Sequence, residues 1–310
     1  MVNSDWDARK CPSCNSTQIS SSAVISSRPK AETLNFEELK NYFIGLRENQ
    51  IFFSYFRCEN CFLLYCPWYF SDQQLQKLYS DMPDNLLGED KSVISRTQSG
   101  YVRQISKKIS QVETYLEIGP DIGLVTSAVV KRFYPNTVLL FEPNLSVHSQ
   151  LEISAQPAQK IKIYSGTQYD ESYKPDLTVG VHVYDHLLAP LIELTNLFRF
   201  SADRSTIAIV VHNEKSLLRK ILGNKWPPFC LQHPQLYNKK TLRNLLEKAG
   251  WTNIIIKPTT NWFSFDHFVK MGASVLGLNP KYFFFIPRIQ FPFRLGNMIC
   301  IAEKEKFREI

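Results

Sequence analysis

The sequence predicts an α/β fold built on strand–helix–strand units, preceded by a small metal-binding region. Three observations lead to this prediction. Residues 115–144 read as a strand, a glycine-containing turn, a helix, a second strand and an acid. Upstream, four of the seven cysteines form two CxxC pairs. Strand-like and helix-like segments continue to alternate after residue 144, which is typical of a parallel sheet covered by helices.

The glycine turn carries the clearest functional signal. Gly119 and Gly123 follow the first strand and come directly before a helix, so backbone N–H groups and a helix N-terminus can approach a polar ligand. Glu142 ends the second strand, where a carboxylate can accept hydrogen bonds from both hydroxyls of a ribose. Asp121 in the turn suits a ligand with a positively charged end better than a pyrophosphate. These features predict a nucleoside-like cofactor, although a glycine turn alone also fits a unit that binds nothing.

The two CxxC pairs predict a zinc site. Their spacing is that of paired zinc knuckles, which place four thiolates tetrahedrally around one Zn²⁺. Four protein thiolates leave no open coordination position, so the site is interpreted as structural. A redox motif or a disulfide pair is the alternative, and both fit a duplicated motif in a cytosolic chain less well. The ligands are Cys11, Cys14, Cys58 and Cys61.

Composition bounds the class of protein. The chain has 310 residues, of which 44% are hydrophobic and 13% aromatic, enough for a substantial core. The polar start and the absence of a long uninterrupted apolar run indicate no secretory leader and no transmembrane segment, and we therefore expect a cytoplasmic protein. The formal net charge of +7 is spread over segments that also carry acids. We therefore expect no nucleic-acid partner.

The order of predicted elements follows from periodicity and turn signals. Strands are predicted at 50–57, 115–118, 137–141, 160–164, 176–183, 205–212, 251–257 and 296–304. Helices are predicted at 34–46, from 72, at 93–110, 124–133 and 145–153, up to 200, and at 238–249. Between the last two strands, residues 262–294 are rich in Phe, Tyr and Pro and are interpreted as a substrate lid, or else as a packed insert.

This ordered set of motifs resembles the class I S-adenosylmethionine-dependent methyltransferases, in particular the small-molecule and sugar methyltransferases with an N-terminal zinc ribbon. The resemblance rests on EIGPDIG at 117–123, FEPN at 141–144, HVYDHLLAP at 182–190 and a histidine shortly before the helix at 238–249. It implies a Rossmann-like seven-stranded sheet, a zinc ribbon over 1–70, bridging helices over 71–110 and a methyltransferase domain over 111–310. It also implies the cofactor S-adenosylmethionine, bound by Glu117, Gly119, Pro120, Asp121, Gly123, Glu142, Pro143, His182 and Tyr101.

The resemblance also points to the acceptor side of the site. A neutral hydroxyl acceptor needs a base near neutral pH, and histidine is the side chain most easily tuned there. His233 and His186 are the predicted catalytic residues, with His233 ranked first and with His182 and Asp185 behind them. Sugar C-methyltransferases carry Tyr-x-Glu-His where this chain has Cys-Leu-Gln-His at 230–233, which keeps the histidine but loses the tyrosine and the acid and so argues against enolising C-methylation. By family analogy, the resemblance implies transfer to a small polar acceptor such as a sugar or glycan hydroxyl. The other histidines, His148, His212 and His267, have no supporting sequence neighbours and are interpreted as structural or surface residues.

Two other functions fit parts of the same pattern. An RNA methyltransferase could use the zinc region to grip nucleic acid, although no dense basic and aromatic stripe surrounds either CxxC pair. A non-catalytic scaffold could keep the fold and use the zinc region for partner binding. The unusual Asp121 motivates this second reading, together with Ser165, Gly166 and Thr167, which stand where the family often has an adenine-binding acid.

Overall fold

A computed structural model describes residues 2–43, 50–80, 91–166, 170–266, 269, 289–294 and 296–305. Its strands are β1 Asp7–Ala8, β2 Phe56–Arg57, β3 Leu64–Tyr65, β4 Trp68–Tyr69, β5 Thr114–Ile118, β6 Thr137–Phe141, β7 Lys160–Tyr164, β8 Leu177–Val181, β9 Thr206–His212, β10 Gln235–Leu236, β11 Thr252–Pro258, β12 Asn261–Ser264, β13 Gln290–Phe293 and β14 Asn297–Glu303. Its α-helices are α1 Phe36–Lys40, α2 Asp72–Ser80, α3 Lys91–Ile105, α4 Leu124–Phe133, α5 His148–Ser154, α6 Pro190–Phe200, α7 Leu217–Leu222 and α8 Lys239–Lys248. Short 3-10 turns cover Ala31–Thr33, Leu145–Val147 and Gly223–Lys225.

Seven strands form the central sheet in the order β11-β14-β9-β8-β5-β6-β7. The pairs β5–β6, β6–β7, β5–β8 and β8–β9 are parallel, whereas β14 runs antiparallel between β9 and β11. This arrangement confirms the predicted α/β fold with a Rossmann-like seven-stranded sheet. The chain winds outward from β5 to β7 and then returns to β8 on the other side of β5. Ligands of such sheets bind in the crevice at the carboxyl ends of the strands, where the winding reverses.

The two faces of the sheet are covered by different helices. Side chains alternate along a strand, so Tyr115 packs with buried residues of α3, α4 and α5, while Leu116 packs with α6 and α8 on the other face. Helix α4 begins directly after Gly123, and α8 begins with a capping box in which Asn238 accepts from the backbone N–H groups of Lys240 and Thr241. Among the described helices, none has both the length and the apolar character needed to span a bilayer.

The N-terminal region packs against the residues that follow β9, including β10. Strand β3 pairs with β10, with Tyr65 opposite Gln235, and the Arg57 guanidinium forms a 2.9 Å ion pair with the buried Glu214 carboxylate. The residues of both CxxC pairs share one side-chain cluster with residues of α8. The predicted boundaries at 70 and 110 stay predictions, but the region of the CxxC pairs and the sheet have a common core.

Two predicted elements of this region differ in the structure. The strand predicted at 50–57 is reduced to β2, because the N–H groups of Phe52 and Ser54 donate to the side chains of Ser27 and Glu32 and not to a neighbouring strand. The helix predicted at 34–46 is the short α1, and residues 44–46 lie outside the described residues. His267 and most of the predicted lid, namely 267–268 and 270–288, also lie outside the described residues.

Candidate active site

The glycine loop, residues 119–123, connects β5 to α4 in a conformation that favours glycine. Gly119, Asp121 and Gly123 have φ angles of 64°, 52° and 78°, all in the left-handed region. A Cβ atom on Gly119 would lie 2.7 Å from Cγ2 of Val183, and one on Gly123 would lie 2.7 Å from the Ser154 side chain. Both glycines are therefore required by backbone conformation and by close packing.

Glu142 at the end of β6 is anchored to this loop. Its Oε2 accepts a 3.1 Å hydrogen bond from the N–H of Asp121, and its Oε1 accepts a 2.9 Å bond from the N–H of Asn144. The residue is 8% exposed, and burial raises the pKa of its carboxyl, although the two N–H groups oppose this. The carbonyl of Glu142 also forms a 2.8 Å hydrogen bond with Nε2 of His148, so His148 supports the loop.

The other predicted cofactor residues are less accessible or lie further out. Glu117 lies 1% exposed beneath the loop, where its Oε2 accepts from the hydroxyls of Tyr115 at 2.7 Å and Thr126 at 2.5 Å. Burial raises the pKa of Glu117 to about 7. Tyr101 of α3 is 2% exposed and burial raises its pKa to about 12. Pro120 is buried and Pro143 is exposed. Their roles toward the cofactor stay predictions.

Four histidines, His182, His186, His212 and His233, form a cluster at the carboxyl ends of β8 and β9. We call this group the histidine cluster. Ring centroids of His182 and His212 are 4.4 Å apart, those of His212 and His233 are 4.9 Å apart, and those of His233 and His186 are 4.7 Å apart. The cluster borders the glycine loop, because Val183, which lies between His182 and Asp185 in the chain, is the residue that closes over Gly119.

Asp185 is the buried carboxylate of the cluster. It is 0% exposed, and its Oδ2 accepts from the backbone N–H of His212 at 3.1 Å and from Nδ1 of His212 at 2.8 Å. Burial alone would raise the pKa of Asp185, but the side chains of His182 and His212 outweigh it and hold the pKa below its usual range. Burial lowers the pKa of His212 to about 4.

The two predicted catalytic histidines lie side by side. His233 is 7% exposed, and its Nδ1 donates to the carbonyl of Pro228 at 2.7 Å, with the Cys230 Sγ at 3.3 Å. Burial opposes protonation of His233, but Cys230, Asp185 and the Pro228 carbonyl together raise its pKa to about 9. His186 is partly exposed and its Nδ1 lies 3.0 Å from the hydroxyl of Tyr79, while burial lowers its pKa well below the usual value.

Sequence reasoning missed two members of this site. His212 was not selected because it has no informative sequence neighbours, yet the parallel pairing of β8 with β9 places it beside Asp185. His212 is thus a partly buried partner of Asp185, and its interpretation as a structural or surface residue stays a prediction. Tyr79 reaches His186 from α2, over 107 residues of sequence separation, and no local pattern reports such a contact.

The four CxxC cysteines converge as predicted. The Sγ atoms of Cys11, Cys14, Cys58 and Cys61 all lie within 4.8 Å of one another. The Cys11–Cys61 sulfur distance is 3.5 Å and the Cys14–Cys58 distance is 3.6 Å. A tetrahedral ion with metal–sulfur bonds of about 2.3 Å requires sulfurs about 3.8 Å apart. The arrangement therefore fits a metal centre.

Comparison with known proteins identifies the family. The profile of the methyltransferase domain family matches residues 91–255, more than half of the 310 residues, and the chain belongs to that family. It is an S-adenosylmethionine-dependent methyltransferase. A comparison with curated proteins gave no match.

Solved structures share the fold at low sequence identity. A chain from the complex between the Haloferax volcanii Trm112 methyltransferase activator and a methyltransferase is 10% identical, with a TM-score of 0.54 over 74% of this chain and 99% of that one. The N-methyltransferase NodS from Bradyrhizobium japonicum WM9, in complex with S-adenosyl-L-homocysteine, is 10% identical, with a TM-score of 0.48 over 75% and 98%. A methyltransferase from Bacillus halodurans C-125 is 12% identical, with a TM-score of 0.46 over 67% and 99%.

Proposed function

We propose that this methyltransferase transfers the methyl group of S-adenosylmethionine to the hydroxyl of a small polar acceptor, namely a sugar or glycan. The single observation that supports transfer to a hydroxyl is the position of the histidine cluster. It borders the glycine loop through the contact of Val183 with Gly119. Methyl transfer is an in-line displacement, so donor carbon and acceptor oxygen must be held close together and shielded from water. A neutral hydroxyl must also lose its proton, and a base beside the glycine loop can accept it.

The residues around the glycine loop fit the cofactor. We assign Glu142 to the ribose hydroxyls, because its carboxylate is held at the loop by two backbone N–H groups. The loop from Gly119 to Gly123 allows close approach, since no side chain fits there, and Asp121 supplies negative charge for the positively charged end. When bound, the cofactor supplies the electrophilic methyl group. The chain's own contribution is to orient it toward the end of β8.

We assign proton removal from the acceptor to the His186–His233 pair. The sequence ranks His233 first, but exposure favours the opposite order. His186 is partly exposed and can meet an acceptor, whereas His233 is 7% exposed and lies behind it. The Tyr79 hydroxyl at 3.0 Å orients the His186 ring, and the His233 ring packs edge-on against it. A positioned base of this kind contributes roughly 10²- to 10⁴-fold to rate.

We further propose that the four cysteines bind a structural Zn²⁺. Their sulfur distances support tetrahedral coordination, and a complete set of protein ligands leaves no position for a substrate. The consequence for function lies in the chain that follows. Strand β3 begins three residues after Cys61 and pairs with β10, which lies two residues after His233. The metal would thus fix one wall of the acceptor site.

The test combines cofactor binding with acceptor screening. The zinc-loaded full chain is titrated calorimetrically with S-adenosylmethionine and then incubated with isotope-labelled cofactor and a panel of sugars, nucleotide sugars and RNA. We expect binding, and label in a sugar hydroxyl product. The His186→Asn variant should bind the cofactor as the unaltered protein does, but transfer methyl roughly 10²- to 10⁴-fold more slowly. Absence of cofactor binding by the unaltered protein would overturn the whole proposal. Label in RNA alone would overturn the assignment of a sugar or glycan as the acceptor.

A further inference from the structure

We infer that His182, Asp185 and His212 form a second metal site, specific for a divalent first-row transition ion. One ligand atom from each residue lies within 4.8 Å of the other two. The closest pair, Nδ1 of His212 and Oδ2 of Asp185, is 2.8 Å apart, and Nδ1 of His182 lies 3.9 Å from the same oxygen. Ligand atoms at right angles and about 2.1 Å from one metal are about 3 Å apart, so a small movement of the His182 ring completes the set.

Two polar atoms of this site have no hydrogen-bond partner in the described part of the chain. Oδ1 of Asp185 and Nδ1 of His182 are buried, and neither has a hydrogen-bond partner among the residues that the structure describes. The distance of 3.9 Å between His182 and Asp185 is too long for a hydrogen bond. Because an unpaired polar atom of a fully buried carboxylate is costly, a ligand for it is expected. A cation held by both carboxylate oxygens of Asp185 and by Nδ1 of His182 would satisfy both atoms together.

The backbone and the neighbouring side chains hold the three ligands in place. His182 has a φ angle of 55°, a left-handed conformation that is rare for a residue other than glycine and that directs the chain back toward β9. Nε2 of His182 lies 3.2 Å from the side-chain nitrogen Nδ2 of Asn297. A 180° flip of that amide would bring its oxygen to the same place, where it would accept the Nε2 proton and leave the Nδ1 lone pair for a metal. Such a partner on the second ring nitrogen is the usual support for a metal-binding histidine.

The donor set decides the class of ion. Two imidazoles and one carboxylate suit Zn²⁺, Fe²⁺, Mn²⁺ or Co²⁺, whereas Mg²⁺ and Ca²⁺ prefer oxygen ligands. Three protein ligands also leave coordination positions open, in contrast to the four-cysteine centre. The site lies in the histidine cluster, next to Val183 and the glycine loop. On the proposed function, an acceptor oxygen could occupy an open position. The metal site itself does not depend on that function.

The competing interpretation is a metal-free hydrogen-bonded pair. In that case, Asp185 orients His212 through the 2.8 Å bond from Nδ1, and the histidine keeps its proton. Metal binding would instead displace this proton and place Nδ1 on the ion. The two interpretations differ in metal content, so the choice between them needs no activity measurement.

The experiment measures metal stoichiometry in the full chain. Protein freed of loosely bound metal is titrated with Co²⁺ and followed by absorption spectroscopy, then dialysed and analysed for total metal by mass spectrometry. Cobalt in the four-cysteine centre gives thiolate charge-transfer bands and intense ligand-field bands, whereas cobalt bound by nitrogen and oxygen adds only weak ligand-field absorption and no charge transfer. We expect two metal ions per chain, of which only the first adds charge-transfer intensity during the titration. Asp185→Asn and His212→Asn should each lose one ion, while unchanged thiolate bands report that the fold and the first centre persist.

A matched control separates ligation from general loosening of the cluster. His233→Asn removes a ring that contacts His212 but is not one of the three ligands, so it should retain both ions. The inference is overturned if the unaltered protein binds a single ion with thiolate bands only, or if the second ion survives in His212→Asn. Loss of the second ion in His233→Asn to the same extent as in His212→Asn would also overturn the assignment of these three ligands.

Discussion

The hydroxyl of Tyr55 donates a 2.6 Å hydrogen bond to the backbone carbonyl of His233, across 178 residues of sequence. Tyr55 lies just before the second CxxC pair and is 0% exposed. The same segment around His233 receives a hydrogen bond from the Cys66 N–H to the Pro234 carbonyl, at 2.9 Å. The N-terminal region therefore fixes the backbone of a predicted catalytic residue, in addition to carrying the four-cysteine centre.

Replacement of Tyr55 by Phe should lower both stability and turnover. The variant leaves the carbonyl of His233 buried without this donor, which costs roughly 1–3 kcal/mol. We expect urea unfolding to show a loss of this size, and labelled-methyl assays to show a lower rate. Calorimetry should show unchanged affinity for S-adenosylmethionine, because the glycine loop is not touched. Tyr134→Phe, at a 70% exposed position, is the matched control and should behave as the unaltered protein. Equal losses of rate and cofactor affinity would contradict this role.

Loss of the zinc ion should impair the acceptor side more than the cofactor side. Cys14 is the partly exposed member of the four cysteines, so Cys14→Ser removes one ligand with little loss of packing. We expect less bound zinc, faster hydrogen exchange over residues 228–237 and slower methyl transfer, since β3 would no longer hold β10 firmly. Titration with S-adenosylmethionine measures the loss of cofactor affinity, which should be smaller than the loss of methyl-transfer rate. A Cys14→Ser protein with full zinc content, or one that lacks zinc yet keeps full rate, would refute this coupling.

Local patterns predicted the parts of the molecule that depend on nearby residues. The bounds predicted for α4, β6 and β7 agree with the structure, because glycine turns and strand periodicity are encoded within a few residues. The glycine loop and Glu142 were found for the same reason. In contrast, the pairing of His212 with Asp185 depends on which strands become neighbours in the sheet. No spacing rule links the two residues.

The N-terminal region was harder to predict for a different physical reason. Its aromatic side chains pack against one another on all sides, as Phe53 does with Trp6 and Phe70 at centroid distances of 5.1 and 5.2 Å. Such packing does not require regular secondary structure, so the hydrophobic run at 50–57 resembles a strand in sequence without forming a long one. The cysteine spacing remained informative there, because the four cysteines of the two CxxC pairs do converge.

Glu142 should contribute to cofactor affinity through its charge. Glu142→Gln keeps the shape and one acceptor oxygen. It removes the negative charge that would receive the ribose hydroxyls, and it replaces the second oxygen by an NH2 group that cannot accept from the N–H of Asp121 or Asn144. Hydrogen bonds to a charged group contribute roughly 1.5–3 kcal/mol, so we expect about 10- to 150-fold weaker binding of S-adenosylmethionine by calorimetry. Glu152→Gln, at an exposed position on α5, is the control and should bind normally. Unchanged affinity in Glu142→Gln would remove Glu142 from the cofactor site.

Glu117 should make the protein less stable as pH rises through the neutral range. Burial raises the pKa of Glu117 to about 7, whereas the unfolded chain has the ordinary value of 4.5. Below pH 4.5 both states are protonated and the full stability is present. Between these two values the unfolded state loses its proton first, so the free energy of unfolding falls, by about 3 kcal/mol in total. Above pH 7 this loss is complete and constant.

Glu117→Gln should remove this component, because the amide cannot ionise and its oxygen can still accept from Tyr115 and Thr126. The measurement is urea unfolding of both proteins from pH 4.5 to 8. We expect the variant to gain about 3 kcal/mol relative to the unaltered protein between the two ends of that range, with most of the gain below pH 7. The Glu152→Gln protein should show a flat difference over the same range. A flat difference for Glu117→Gln as well would mean that the carboxyl of Glu117 ionises in the folded protein as readily as in the unfolded chain.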